Sequence, residues 1–505
     1  MKNFVSNIAV AAFTNILGIF VTILAQYFIL NSFGSEINGL TPSVNQFLVY
    51  FTLLEAGIGA ASVQALYKPL VDKNNEKRDS ILSATHNQYR KVGIIFFVLL
   101  VALSLLMPVL TRSSLESILV ITITFLMGLA HVINYLFIGK YRVLLSADKR
   151  IYVLNTLDSF LGIVFSVIRI ILINTGFSII TVQAVALLSP IVRMIFLRFY
   201  VKRRYVSVNL KAKPDYSSIS KSKNVLVHHA VGMVTQHTDV LILTLGSSLK
   251  AVSVYSVYNL IYAHICSILS NVFGTAPQAS FGHLLESKNP KFNDYYKVYE
   301  VFFTALILAI ISIALVLTLP FVSLYTVSVT DVNYIDLTVA ILFAITAVLS
   351  AIRLPFVIMV NVTGTFKETQ RGAIIEAIIN IAVSIPAYIF FEMKGLLFGT
   401  VVALLFRSID ISYFCYKHVM KKSYLGYLKV PIVGIITAVA YCGFFMFVKP
   451  VLASSWGEWF LSALICASIG IVLFFAVFCI FFRKETIMVF RMLKKFLNRK
   501  SKVKG

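Results

Sequence analysis

Hydrophobic residues dominate this chain in long runs that short polar segments separate. A run of about 20 apolar residues is the length that an α-helix needs to cross a lipid bilayer. The pattern predicts fourteen such helices, which would hold about 280 residues and leave no room for a separate soluble domain. The predicted spans are 7–30, 40–66, 92–110, 117–138, 151–172, 177–197, 224–245, 252–276, 299–322, 337–360, 374–391, 396–416, 430–448 and 459–482.

The composition is typical of a membrane protein and excludes an ordinary soluble one. Hydrophobic residues make up 59% of the 505 residues, and charged residues only 13%. A soluble domain of this size needs more charge to cover its surface. The five cysteines all fall in apolar segments without the spacing of a metal site or a disulfide framework, so they are interpreted as packing residues. We therefore predict an all-α, polytopic membrane protein.

The net charge of +24 is concentrated in alternate loops. Lys2 and seven of these loops hold 37 of the 45 lysines and arginines. Loops rich in these residues stay on the cytoplasmic side of a membrane. Both termini are therefore predicted to be cytoplasmic, and the basic surplus is interpreted as an orientation signal that attracts anionic lipid, not as a nucleic-acid-binding surface. The seven loops are 68–91, 139–150, 198–223, 276–297, 362–373, 417–429 and 483–505.

Both ends of the chain add to this topology. The N-terminal run MKNFVSNIAV has one lysine and no convincing cleavage site, which predicts a first span that also serves as an uncleaved signal. The tail 483–505 mixes basic residues with apolar ones at helical spacing. It is predicted to be either an amphipathic helix on the inner leaflet or a solvated basic tail.

Polar residues recur at helical spacing inside several spans, which predicts polar faces directed toward the interior of a bundle. Packing between helices also uses small and hydroxyl residues in this way. The richest segment is HHAVGMVTQHTDVLI, 228–242. Zinc needs three or four convergent ligands, but His228 and His237 would lie about 13 Å apart along a helix and point in nearly opposite directions. A proton relay stays open, and we interpret the segment as one wall of a polar cavity.

Four arginines lie within predicted spans, where each charge costs about 3 kcal/mol or more at the bilayer centre. Arg193 is close to the inner end of its span and is expected to reach the interface. Arg169, close to the outer end of its span, has no clear assignment. Arg353 lies in the inner third of its span. Arg407 lies near the middle of its span, where it either pairs with Asp410, three residues later, or contacts a solute.

Two segments predict an internal repeat, NSFGSEINGLTPSVNQF (31–47) and LTLGSSLKAVSVYSVYNL (243–260). Both contain Gly-Ser and then Ser-Val ahead of an Asn, which favours two six-span halves related by a parallel repeat. The last two spans carry almost no charge and are expected to lie at the periphery, against lipid. The predicted divisions are an N-terminal lobe 1–223, a C-terminal lobe 224–428, two peripheral spans in 429–482 and the tail 483–505.

The stretch GSEINGLTPSVNQFLVYFTLLEAGIGAASVQALYKPL (34–70) resembles the signature of bacterial polysaccharide flippases of the Wzx type. These belong to the multidrug/oligosaccharidyl-lipid/polysaccharide (MOP) exporter superfamily. The stretch 237–261 resembles the start of the second half of that family, although the position of His237 is often Asn there. The resemblance implies a V-shaped pair of six-helix lobes around a central cavity.

The cargo that the resemblance implies is a polyprenyl-diphosphate-linked oligosaccharide, moved from the inner to the outer leaflet of the bacterial plasma membrane for capsule, exopolysaccharide or O-antigen-like synthesis. We expect a transporter, not an enzyme, with other polysaccharide-assembly proteins as partners and no metal or cofactor apart from coupling to Na⁺ or H⁺. Arginines would contact the diphosphate, and amide and hydroxyl groups would contact the sugars. The expected substrate-binding residues are Arg407, Arg353, Arg169, Asn45, Glu55, His228, Gln236, Asp239 and Asn259.

Two other functions stay open. A cation-coupled multidrug antiporter of the same superfamily would use Glu55 and Asp239 as its coupling carboxylates. A membrane glycosyltransferase or polymerase is less favoured, because the external connections are short and the longest is only 323–336. The sequence has no GxxxxGK[ST] phosphate-binding loop, so nothing in it indicates ATP hydrolysis.

Overall fold

The structure is a computed structural model that describes residues 2–55, 57–205, 208–222, 233, 237–448 and 450–491. The contacts divide the chain into two units. The first unit is Met1–Ser256 with Ser328–Val332, and the second is Val257–Val327 with Asn333–Gly505. The repeat boundary after residue 223 stays a prediction.

The first unit is built from helices with short connections. Its helices are α1 (Lys2–Phe51), α2 (Ile58–Val71), α3 (Asn75–Thr111), α4 (Ser117–Ile133), α5 (Gly139–Ala147), α6 (Ile151–Asn174), α7 (Ile179–Ala186), α8 (Leu188–Arg204) and α9 (237–246). A helix that begins in the first unit and ends in the second is α10 (Leu249–Phe273).

The second unit is helical in the same way. Its helices are α11 (Thr275–Glu286), α12 (Phe292–Tyr325), α13 (Leu337–Ile352), α14 (Leu354–Thr363), α15 (Phe366–Phe414), α16 (Leu425–Gly443), α17 (Trp456–Phe481) and α18 (483–491). Within the described ranges no residue is in a β-strand.

Eleven helices of the described chain are long and apolar enough to cross a membrane. The first and ninth of them, Leu17–Glu55 and Phe366–Val419, each cover two spans that the hydropathy pattern separates. Span 7 begins in residues outside the described ranges. The prediction of an all-α, multi-pass membrane protein is confirmed.

The long helix α15 contains two antiparallel spans. At Glu392 the backbone leaves helical geometry, with φ 50° and ψ −132°. On either side of this break, Asn380 Nδ2 donates to Thr400 Oγ1 at 3.2 Å. A Cβ on Gly399 would lie only 2.3 Å from Ser384 Oγ, so glycine is what lets the two halves approach this closely. The sequence predicts these as spans 11 and 12, and the structure joins them through a break at Glu392.

One backbone break precedes the second predicted span, 40–66, and another interrupts it. Gly34 breaks α1 with φ +82°, a conformation that glycine adopts without steric cost. Further along, the residues Thr52–Glu55 form a 3₁₀ turn, and Gly57 (φ 87°) precedes α2. Short 3₁₀ segments within a helix often mark functional hinges. The interruption places Glu55 at a break in a membrane span.

The loop that follows α8 is fastened to the start of α3. Asp79, which is buried, accepts a hydrogen bond from the Asn209 amide at 3.0 Å. Lys77 Nζ lies 2.6 Å from Asp215 Oδ2. The Lys77 ammonium, with the hydroxyls of Ser217 and Ser218, holds the pKa of Asp215 well below its usual range. Charge and hydrogen bonds therefore add to the apolar packing of this loop, whose Ile219 is buried in the core of the first unit.

Candidate functional site

Two arginines of the second unit share one carboxylate. Arg353 follows α13 directly, and its Nη1 lies 2.8 Å from Glu376 Oε1 on the first half of α15. Arg407, on the second half of α15, places Nε 3.6 Å from Glu376 Oε2 and Nη1 2.5 Å from Asp410 Oδ2. We call these four residues the arginine–carboxylate cluster.

The cluster is electrically balanced and closely packed. It contains two guanidinium groups and two carboxylates, and Glu376 and Arg407 are only 5% and 8% exposed. A Cβ on Gly372 would lie 1.9 Å from Asp410 Oδ2, so a larger residue there would displace the ion pair. Of the two interpretations left open for Arg407, the structure shows the pairing with Asp410. Contact between either arginine and a substrate stays a prediction, and a substrate anion would have to compete with Glu376.

The first unit holds the two other intramembrane arginines, and they differ. Arg193 Nη1 lies 2.7 Å from Asp158 Oδ1, and the side chain also contacts Asn134; its reach to the interface stays a prediction. Arg169 on α6 has a buried Nε without a hydrogen-bond partner, and no carboxylate of the described residues lies within ion-pairing distance of it. Arg169 is thus the one intramembrane arginine whose charge the described residues leave uncompensated.

Two of the predicted polar residues are exposed on otherwise apolar helices. Asn45 on α1 is exposed between Val44 and Gln46, which are buried. Asn259 on α10 is exposed and lies within a buried stretch. An amide exposed to hydrocarbon would lack hydrogen-bond partners, which is costly. Both positions are therefore suited to contact with water or a polar solute.

The two predicted carboxylates have tyrosine partners. Glu55 accepts a hydrogen bond from Tyr89 Oη at 2.5 Å. Asp239 is buried, and Tyr255 Oη lies 3.3 Å from its Oδ2. Two further predicted residues, His228 and Gln236, lie outside the described residues. The described side chains contain no group of three or more His, Cys, Asp or Glu that could hold a metal ion.

One residue of the site was not among those predicted from the sequence. Glu376 contacts both arginines of the cluster, yet the sequence shows it only as an acidic residue on the same helical face as Asn380 and Ser384. All three are buried. An acidic residue within an apolar span is a signal in itself, since such a charge needs a partner.

No family model and no curated protein matches the sequence. Solved structures do match. The chain superposes on the lipid II flippase MurJ in an inward closed conformation with a TM-score of 0.71 and 13% identity, over 94% of this chain and 99% of MurJ. An inward-facing multidrug resistance transporter of the MATE family, in the MOP superfamily, superposes with a TM-score of 0.63 and 14% identity. The match covers 84% of this chain and 95% of that transporter. This chain has the fold of MOP transporters. A MOP superfamily transporter from Pyrococcus furiosus superposes with a TM-score of 0.51 and 14% identity, over 82% of this chain and 95% of that transporter.

The MOP fold agrees with the superfamily that segment 34–70 resembles. The finer assignment to the Wzx type stays a prediction. Identities of 13–14% establish a shared architecture, and one fold can serve several substrates. The choice of substrate for this MOP fold therefore depends on the charges and polar groups described above.

Proposed function

We propose that this protein is a flippase that moves a polyprenyl-diphosphate-linked oligosaccharide from the inner to the outer leaflet of a bacterial plasma membrane, for the synthesis of cell-surface polysaccharide. The observation that carries the proposal is the uncompensated charge of Arg169. A solved MOP structure that belongs to a lipid II flippase supports a lipid-linked cargo for this fold.

The argument from Arg169 is one of charge balance. A guanidinium inside a membrane span is costly unless an anion accompanies it. The other three intramembrane arginines have carboxylate partners, and among the described residues Arg169 has none. A diphosphate supplies the missing negative charge and accepts the paired hydrogen bonds that a planar guanidinium donates. A cationic drug would instead be repelled.

The sugar part of such a cargo needs neutral hydrogen-bonding groups. The exposed amides of Asn45 and Asn259 can donate to and accept from hydroxyl groups. Arg353 and Arg407 are secondary candidates for the diphosphate, because a ligand must first displace part of their bonding to Glu376. Coupling to Na⁺ or H⁺ belongs to the proposal as well, and an imposed gradient of each ion across proteoliposomes would identify it.

Replacement of Arg169 tests the proposal. We expect Arg169→Ala to slow translocation roughly 10- to 100-fold, because a hydrogen-bonded charge contact is lost, and Arg169→Lys to recover only part of the rate. The measurement is the flipping of a fluorescent polyprenyl-diphosphate disaccharide in proteoliposomes. Arg203→Ala, at an exposed arginine near the end of α8, is the matched control and should keep the wild-type rate. Full activity of Arg169→Ala would remove this residue from the mechanism.

A cation-coupled multidrug antiporter is the second candidate, and one observation favours it. The Glu55 carboxylate lies at a break in its span and has a tyrosine partner but no cationic partner within the described part of the chain. An acidic group in this position suits a proton or a cation. Accumulation of fluorescent cationic drugs in cells with and without the protein separates the two functions, since the flippase leaves accumulation unchanged.

A further inference from the structure

A small cavity lies in the second unit, where the start of α12 meets the connection from α15 to α16. Its volume is about 300 Å³. We call it the lysine cavity, because two lysines and no carboxylate line it. The residues that matter for its chemistry are Asn293, Lys297, Tyr416, Lys422, Ser423 and Gly426.

Three hydrogen bonds hold the side chain of Lys297, one of the two lysines, in place. Lys297 Nζ lies 2.9 Å from Glu300 Oε1 and 2.9 Å from Tyr416 Oη, and it donates to the Gly426 carbonyl at 3.4 Å. Tyr416 Oη also donates to Glu300 Oε2 at 2.5 Å. Glu300 is fully buried, and its carboxylate forms an ion pair with Lys297.

The second lysine supplies a surplus charge at a fixed backbone position. Lys421 adopts φ 53°, and the Lys422 amide donates to the Tyr416 carbonyl at 2.9 Å. A residue with positive φ followed by such a hydrogen bond is a common way for a helix to end. The Lys422 side chain is exposed, and no carboxylate of the described chain lies within ion-pairing distance of it. Lys297 is paired with Glu300, on which Glu485 also acts electrostatically, so Lys422 is the lining lysine that no described carboxylate pairs with.

The remaining groups favour a phosphate over other anions. The Asn293 amide and the Ser423 hydroxyl add neutral donors around Lys422, and phosphate oxygens accept several hydrogen bonds at once. The volume is at the lower end of the range for small-molecule sites, which suits a headgroup better than a large ligand. Leu425, beside the cavity, is 76% exposed, so an apolar surface for an acyl chain adjoins the charged one.

We propose that the lysine cavity binds the phosphate group of an anionic ligand, with Lys422 as its main electrostatic contact. The phosphate belongs either to an anionic phospholipid or to free inorganic phosphate. Basic pockets between membrane helices on the cytoplasmic side commonly hold anionic headgroups, and the loop 417–429 is one of the basic loops. The site shares no residue with the arginine–carboxylate cluster, and the proposal does not depend on the transported cargo.

The test compares two neighbouring lysines. Purified full-length protein is incubated with equal amounts of phosphatidylglycerol and phosphatidylethanolamine, and retained lipid is counted by native mass spectrometry. We expect Lys422→Gln to retain about fivefold less phosphatidylglycerol than the wild type. Lys421→Gln should match the wild type, because this exposed side chain does not line the cavity. Ser423→Ala should give an intermediate loss, with an unchanged melting temperature as the check on folding.

Inorganic phosphate in the same experiment identifies the source. If it displaces phosphatidylglycerol from the wild type, the cavity accepts free phosphate as well; if it does not, the ligand is the lipid headgroup. Either result supports a phosphate site. Equal losses in Lys422→Gln and Lys421→Gln would show only diffuse attraction to the basic loop and would overturn the proposal, as would full retention by Lys422→Gln.

Discussion

At the residue scale, the arginine–carboxylate cluster shows that spacing along one helix predicts contacts within that helix but not contacts between helices. Arg407 and Asp410 are three residues apart in the sequence, a spacing that allows an ion pair on one face of a helix. The structure shows this ion pair. The contact of Arg353 with Glu376 is not visible, because it joins residues 23 positions apart on different helices. Such a pairing depends on how α13 packs against α15.

The balance of charge in this cluster predicts a pattern of stability. Arg407→Ala should destabilise the protein by about 3 kcal/mol, because it leaves an excess negative charge beside the buried Glu376. Arg407→Ala combined with Asp410→Ala restores neutrality and should lose less than the single substitution. Thermal unfolding of the purified variants measures both. The prediction is contradicted if the loss of stability in the double variant equals the sum of the losses in the Arg407→Ala and Asp410→Ala variants.

A second prediction at this scale concerns pH. The depressed pKa of Asp215 means that its ion pair with Lys77 stabilises the loop above the ordinary Asp pKa, about 3.9, and is lost only as the pH falls through the lower, folded-state value. The Ser217 and Ser218 amides, which donate to Asp215, should stay protected from hydrogen exchange down to about pH 4. Asp215→Asn should expose them at neutral pH, whereas Asp72→Asn, at an exposed residue, should not.

At the element scale, the hydropathy pattern locates the membrane spans and misses their interruptions. Apolar length reports that a segment can cross the bilayer, but backbone breaks depend on single residues. Glycine permits the positive φ at Gly34 and Gly57, but the sequence does not distinguish these two from Gly39, which stays helical. The sequence also does not indicate a break at Glu392, because a positive φ is unusual for a residue other than glycine.

Contact between the two repeat-like segments gives a test at this scale. They pack against each other within the first unit: Asn38 Nδ2 donates to Ser253 Oγ at 2.7 Å, and Thr244 Oγ1 donates to Ser43 Oγ at 2.8 Å. A Cβ on Gly39 would lie 1.8 Å from the Leu249 carbonyl oxygen. Gly39→Ala should therefore cost about 1–3 kcal/mol of stability.

The matched control for this substitution is Gly18→Ala on the same helix. A Cβ there would meet no atom within 4 Å, so the change should be neutral or slightly stabilising. Unfolding midpoints of the two variants in one detergent are the measurement. Equal midpoints would mean that the segments do not pack this closely.

At the scale of the whole molecule, the multi-pass helical architecture could be predicted from the sequence alone, because hydrophobic length and composition determine it. The resemblance of segment 34–70 also indicated the superfamily whose fold the structure shares. The candidate site was predictable only as a set of polar residues within spans. Partners such as Tyr89 for Glu55 depend on tertiary packing, which no single span encodes.

Orientation in the membrane is the prediction at this scale. The basic loops predict that α12 begins on the cytoplasmic side and ends on the outer side. In a variant without native cysteines, a cysteine at Lys288 should react with a membrane-impermeant maleimide only after permeabilisation. A cysteine at Thr330, an exposed position after the other end of the same helix, should react in intact cells. The opposite result would reverse the topology.

The ion pair between Arg353 and Glu376 also bears on how the chain is made. Arg353 belongs to the tenth span and Glu376 to the eleventh, so during synthesis the translocon receives the arginine before its counter-ion. Either charge alone makes insertion of its span costly, and an arginine at a helix centre costs about 2.5–3.5 kcal/mol. We expect these two spans to be released into the lipid as a pair, after the ribosome has delivered both charges.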